Sequence, residues 1–132
     1  MVQIAGRYQL VENVKFYEFL KKIGSTDEQA SAADKAKPFV TVGIDGDKVT
    51  IKIEGFGDDL ENHFVLGKQC EEKQTDGSIS KTTVTKEGDA LKLVSIEEGG
   101  VNLTRIYKFT DSGFELSMNL GGIEAKQIYK RL

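Results

Sequence analysis

Residues 39–54 read FVTVGIDGDKVTIKIE, and the period of this stretch decides the fold. Val40, Val42 and Ile44 alternate with Phe39, Thr41 and Gly43. Asp45, Gly46 and Asp47 follow, a compact turn signal. Val49, Ile51 and Ile53 then alternate with Lys48, Thr50 and Lys52. In a strand, residues two apart share a face. The stretch is therefore two strands, each apolar on one face, joined by a hairpin turn. Ile51 and Ile53 belong to the face that turns away from water.

The same grammar runs outward to the end of the chain. LENHFVL (60–66), KQCEEKQ (68–74), SISKTTVTK (78–86), ALKLVSI (90–96), VNLTRIYKF (101–109), FELSMNL (114–120) and IEAKQIYKRL (123–132) all suit strands. TDG (75–77), EGD (87–89), EEGG (97–100), TDSG (110–113) and GG (121–122) punctuate them. With GRYQLV (6–11) this makes about ten strands. No helix-length segment separates the later ones, so parallel crossovers are excluded and the meander runs up and down. Residues 14–37 break the pattern. Phe16, Phe19, Leu20 and Ile23 follow the i, i+3, i+4, i+7 spacing of one helix face, and Gly24 ends that helix. Ser25 or Thr26 caps a second helix, with Asp27 and Glu28 in its first turn and Pro38 stopping it.

Bulk numbers narrow the possibilities. One domain suits 132 residues. A net charge of −3 supplies no basic excess for coating nucleic acid or membranes. A single cysteine, Cys70, rules out a disulfide within the chain and suits a reducing compartment. The opening MVQIAGRYQL lacks the apolar run of a signal peptide, so a cytosolic home is expected. Ten meandering strands manage their edges best by closing into a barrel, and a barrel of more than about eight strands is too wide for side chains to fill. The expected fold is therefore all-β: a ten-stranded antiparallel up-and-down barrel, capped by the two-helix insert and enclosing a ligand cavity. A hydrophobic share of 39%, low for a packed globule, agrees with a partly polar interior. The helical stripe of Phe16, Phe19, Leu20 and Ile23 faces that interior as local core, as ligand contact, or as both.

At this point the chain resembles the intracellular lipid-binding proteins, the cytosolic carriers of fatty acids, bile acids and retinoids. The resemblance rests on GRYQLVENVKFYEFLKKIG, Lys37-Pro38, DGDKVTIKI, FVLGKQCEE and the basic last strand, in order and at matching spacing. It implies a carrier of a long-chain fatty acid or a similar amphiphile, without cofactor or metal, acting as a monomer. A retinoid or bile acid is the alternative cargo. An adaptor docking on anionic membranes or a partner through the cap is an alternative role, since Lys15, Lys21, Lys22, Lys35 and Lys37 outnumber the local acids slightly.

Burying one methylene contributes roughly 0.8 kcal/mol, so a sixteen-carbon tail contributes about 12 kcal/mol before entropic costs. A charge-assisted hydrogen bond adds only about 1.5–3 kcal/mol. The tail governs affinity, and polar groups choose the head. Many members of the family hold a carboxylate with an Arg-x-Tyr pair in the last strand and a second arginine one hairpin earlier. The matching last-strand positions are Gln127 and Tyr129. The earlier arginine position falls on Tyr107 without gaps, or on Arg105 if the TDSG turn is two residues longer. Leu103, Arg105 and Tyr107 share a face either way. An isolated buried guanidinium is costly, so Arg105 needs Gln127, Tyr129, water or a ligand carboxylate; otherwise it sits on the surface beside a neighbouring glutamate. Leu116 and Met118 line the cavity beside this cluster. Phe56 lies near the family's portal phenylalanine, and Thr75 and Asp76 match a turn near its entrance.

Nothing in the chain spells catalysis. His63 stands alone, Cys70 has no activating motif, and no zinc cluster or phosphate loop is spelled out. The two Asp-Gly fragments lack the rest of a calcium loop.

Overall fold

The hairpin at 39–54 forms as the period predicts, with Asp45 opposite Lys48 and Gly46 at φ 63°. A computed structural model describes residues 3–22, 24–55, 59–73, 79–96 and 102–132. Ile23, Phe56, Thr75 and Asp76 lie outside these residues. In chain order the elements are β1 (Gly6–Val14), α1 (Phe16–Lys22), α2 (Asp27–Lys35), β2 (Phe39–Asp45), β3 (Lys48–Glu54), β4 (Leu60–Val65), β5 (Gln69–Lys73), β6 (Ile79–Glu87), β7 (Ala90–Ile96), β8 (Asn102–Thr110), β9 (Gly113–Leu120) and β10 (Ile123–Arg131).

The strands form one sheet in the order β4-β3-β2-β1-β10-β9-β8-β7-β6-β5. Each strand pairs antiparallel with its sequence neighbour, except that β1 also takes β10, and β4 has no ladder to β5. Right-handed twist rolls such a sheet until its ends meet. They meet at β4 and β5, where a side chain replaces the ladder. The Asn62 amide donates to Lys73 O (3.1 Å) and accepts from Lys73 N (2.8 Å), doing with one buried residue what a strand pair does with two. The result is a nearly closed barrel. Asn62→Ala leaves both Lys73 backbone groups without their partner, so we expect a loss of about 2 kcal/mol in denaturant unfolding. The Lys73 amide should lose its hydrogen-exchange protection in that variant first.

Alternation places one face of every strand inside. Tyr8, Leu10, Val40, Val42, Val49, Ile51, Phe64, Val84, Leu91, Leu93, Phe109 and Phe114 are buried there. Ile53 and Leu103 are half-buried against them. At one end Tyr8, Tyr107, Phe109, Phe114 and Tyr129 pack ring against ring, with centroids 4.4–6.4 Å apart. Arg131 lies over the Tyr8 ring, its guanidinium carbon 4.9 Å from the centroid, and donates to the Tyr8 hydroxyl (2.8 Å).

The insert between β1 and β2 forms the two expected helices. Thr26 is the cap that forms: its hydroxyl accepts from Gln29 N while the Gln29 side chain accepts from Thr26 N, a reciprocal capping box. Phe19 is buried, and Phe16 and Leu20 pack partly buried against the core. Asp27 ties the helices together, accepting from the Tyr17 hydroxyl (2.9 Å) and pairing with Lys21 (2.6 Å). Among the described residues no helix is long and apolar enough to cross a membrane.

Candidate functional site

Register brings the inward side chains of β8, β9 and β10 into rows. Arg105 lies opposite Met118, and Met118 opposite Ala125. Tyr107 lies opposite Leu116, and Leu116 opposite Gln127. Phe109 lies opposite Phe114, and Phe114 opposite Tyr129. Arg105, Tyr107, Leu116, Met118, Gln127 and Tyr129 are all buried, while Ile106, Lys126 and Lys130 face out. The TDSG turn is a tight loop, with Thr110 paired to Gly113.

Arg105 is buried, and its partner is none of those expected. Its side chain is 11% exposed and faces the Glu72 carboxylate, 9% exposed. Nη1 donates to Glu72 Oε2 at 2.9 Å, and Nη2 donates both to Glu72 Oε1 and to Ser95 Oγ (2.9 Å). Thr82 Oγ1 donates to Glu72 Oε1 (2.7 Å) and bonds Ser95 Oγ (2.7 Å). The guanidinium reaches from β8 across β7 and β6 to β5. Two ions out of water cost more than their attraction returns unless their hydrogen bonds are largely met. Here two forked bonds and two hydroxyls do this. Among the described residues Glu72 and Arg105 are the buried charged side chains, and they cancel.

Gln127 and Tyr129 form a second, uncharged group. The Tyr129 hydroxyl donates to Gln127 Oε1 (3.2 Å), and Gln127 Nε2 donates to Asn13 Oδ1 (3.0 Å). Asn13 Nδ2 donates to the Asp34 carbonyl in the last turn of α2 (3.0 Å). A register shift between Leu10 and Glu12 in β1 turns Asn13 inward. Plain alternation from Tyr8 and Leu10 would have pointed Glu12 inside instead. Tyr107 stands between the two groups. Burial is the main cause raising its phenol above the usual range; Arg105 opposes the rise and Glu72 adds to it. Burial likewise drives the Tyr129 phenol well above its ordinary range, with Tyr107 adding to the effect. Both phenols stay protonated near neutral pH.

Thus Gln127 and Tyr129 come together as the sequence indicates, and Leu116 and Met118 flank them. Arg105 is inside but engaged with Glu72. Glu72 carried a signal: its two-residue spacing from Cys70 puts it on one face of β5. Asn13 carried none, because the bulge overrides the period. His63 is exposed, with Thr50 Oγ1 at 3.2 Å. Cys70 is half-buried and unpaired with another cysteine. No metal-binding cluster occurs among the described residues.

A barrel of this order with a two-helix insert, holding a polar cluster among inward aromatics, is the architecture of lipid-binding β-barrels. The sequence model of the lipocalin / cytosolic fatty-acid binding protein family matches residues 2–132. The chain belongs to that family. It is 37% identical over 131 residues to a fatty acid-binding protein of Tyrophagus putrescentiae, covering 99% of each chain. It is 31% identical over 131 residues to one of Lepidoglyphus destructor, again covering 99% of each. A Schistosoma mansoni fatty acid binding protein solved in complex with arachidonic acid superposes with a TM-score of 0.89 at 25% identity, covering 97% of this chain and 95% of that one.

Proposed function

We propose that this chain is a non-enzymatic intracellular carrier of a single long-chain amphiphile, a fatty acid or a lipid of similar shape, held inside the barrel. The observation that carries the reading is the polar cluster of Gln127 and Tyr129, buried inside an apolar barrel and beside the neutral Glu72–Arg105 pair. A polar site in an apolar surround orients an amphiphile, head to the polar groups and tail along the side chains. The tail would run toward Phe16, Phe19 and Phe56. The relatives named as fatty acid-binding proteins support the same cargo class.

The chain would work as a monomer in the cytosol and load or unload by transient contact of its helical cap with membranes. The exposed Lys15, Lys22 and Lys35 of the cap favour an anionic surface. Native mass spectrometry of gently purified protein should show one bound lipid per chain, and the delipidated protein should bind oleic acid. Gln127→Ala should weaken that binding about tenfold by removing a head-group partner and loosening Tyr129. A delipidated chain that takes up no long-chain lipid would refute the carrier.

A further inference from the structure

We infer that the outer wall of the barrel carries a second site, a trough across β8, β9, β10 and β1 that takes the chain of a free fatty acid and sets its carboxylate on Lys15. The inference goes beyond the carrier reading above and does not depend on what the interior holds.

Register builds the trough. Two rows of outward side chains cross the sheet side by side. In one, Ile106 lies opposite Ser117, Ser117 opposite Lys126, and Lys126 opposite Val14. In the other, Thr104 lies opposite Asn119, and Asn119 opposite Glu124. Between the rows Met118 and Ala125 turn their side chains inward and leave backbone as the floor. The space measures about 370 Å³, within the range of small-molecule sites. At strand spacings of about 4.8 Å it runs about 14 Å from Ile106 to Val14. These two residues stand at its ends, each 38% exposed. The short Ser117 keeps the middle open, and Glu115 draws the Lys126 ammonium (3.1 Å) away from the second row.

The chemistry at the β1 end selects the ligand. Lys15 lines this trough and also a neighbouring hollow of about 400 Å³ beside α1, next to Phe19 and Ile123. Among the described residues other than glycine, Lys15 alone has a left-handed backbone, at φ 58°. Strain of this kind collects at positions that hold ligands. No carboxylate pairs with the Lys15 ammonium among the described residues. Lys15, Lys22 and Lys126 line the two hollows against Glu18 and Glu124, and Asn119 donates to the Glu124 carboxylate (3.1 Å). A trough with apolar ends and an unpaired cation at one of them matches an apolar chain with an anionic head. The two hollows take in fewer residues than the about 20–30 a side of a stable protein interface, so the fit is to a chain and not to a protein. One side of a chain lying here stays in water, so the site binds less tightly than an enclosed one.

The test gives the delipidated protein one equivalent of oleic acid, then titrates lauric acid and follows the methyl signals of Val14 and Ile106, which face out of the barrel. Both should shift along one saturable curve, weaker than the oleic acid step by about tenfold or more. Ser117→Gln fills the trough from an outward strand position. It should still take up the first equivalent but bind lauric acid at the trough about tenfold less tightly. Lys15→Gly removes the cation and relieves the backbone, so lauric acid should weaken about threefold while uncharged dodecanol keeps its affinity. Methyl signals that stay still, or drift without saturating, overturn the inference. So does a curve that neither variant moves, or a Lys15→Gly protein that loses dodecanol as much as lauric acid. If oleic acid is not taken up, the carrier reading falls, and lauric acid alone on the delipidated protein still decides the trough.

Discussion

Glu72→Ala should lower stability by about 3–5 kcal/mol, a fall in melting temperature of roughly 10–20 °C for a chain of this length. The cost does not come from losing an attraction as such. It comes from leaving the Arg105 guanidinium inside the barrel without the Glu72 carboxylate that takes both its Nη atoms. The double variant Glu72→Leu/Arg105→Met separates these. It removes both charges, fills similar volume, and leaves the bond between Thr82 and Ser95 in place. Replacing a buried pair whole with apolar side chains is often neutral, so the double variant should regain most of the loss. Denaturant midpoints of wild type, both single variants and the double variant give the coupling directly. Single variants as mild as surface substitutions, within about 0.5 kcal/mol, would mean that the pair is solvated in solution.

Gly113→Ala should be the most damaging small change in the chain, at about 3 kcal/mol or more. Gly113 opens β9 opposite Lys130. A methyl group there would fall on the Tyr129 carbonyl oxygen and within 2.9 Å of the Lys130 Cα. Both obstacles are backbone, so neither can rotate aside. The strand would have to move, and with it the Phe114–Tyr129 stack at 4.4 Å. Near-ultraviolet circular dichroism should therefore change along with the unfolding midpoint. Gly46→Ala is the matched comparison. Gly46 has a positive φ of 63° but nothing near its missing Cβ, so its cost is conformational only, about 1 kcal/mol. Equal losses at the two sites would contradict the close approach of β9 to β10.

The fold was legible because it is local. Period-two stretches between Gly-containing turns mark strands, and the helix-period insert stands out against them. Val40, Val42, Val49 and Ile51 are inside because alternation says so, and Gln127 and Tyr129 follow the same rule. The site was only half legible, because its decisive contacts are not local. Arg105 announced a need for an anion, but Glu72 lies 33 positions away and three strands over. Several acidic residues met the requirement equally well on paper; only register selects one. Asn13 was hidden for a different reason. The register shift between Leu10 and Glu12 breaks the alternation on which any reading of β1 depends. Its partner Gln127 lies 114 positions further on.

That separation has a consequence for how the protein comes into being. β1 and the helical cap leave the ribosome early, yet β1 finds one of its two strand partners only when β10 has been made. Contacts of such long range are slow to form, because a large loop must close before they give anything back. Until then Asn13 has no Gln127, and the β1 edge stands open to other strands. The link from Gln127 to Asn13 therefore forms only after release of the last strand. Newly made chains should depend on protection of that edge during synthesis, and a stall anywhere before β10 should yield an aggregation-prone product.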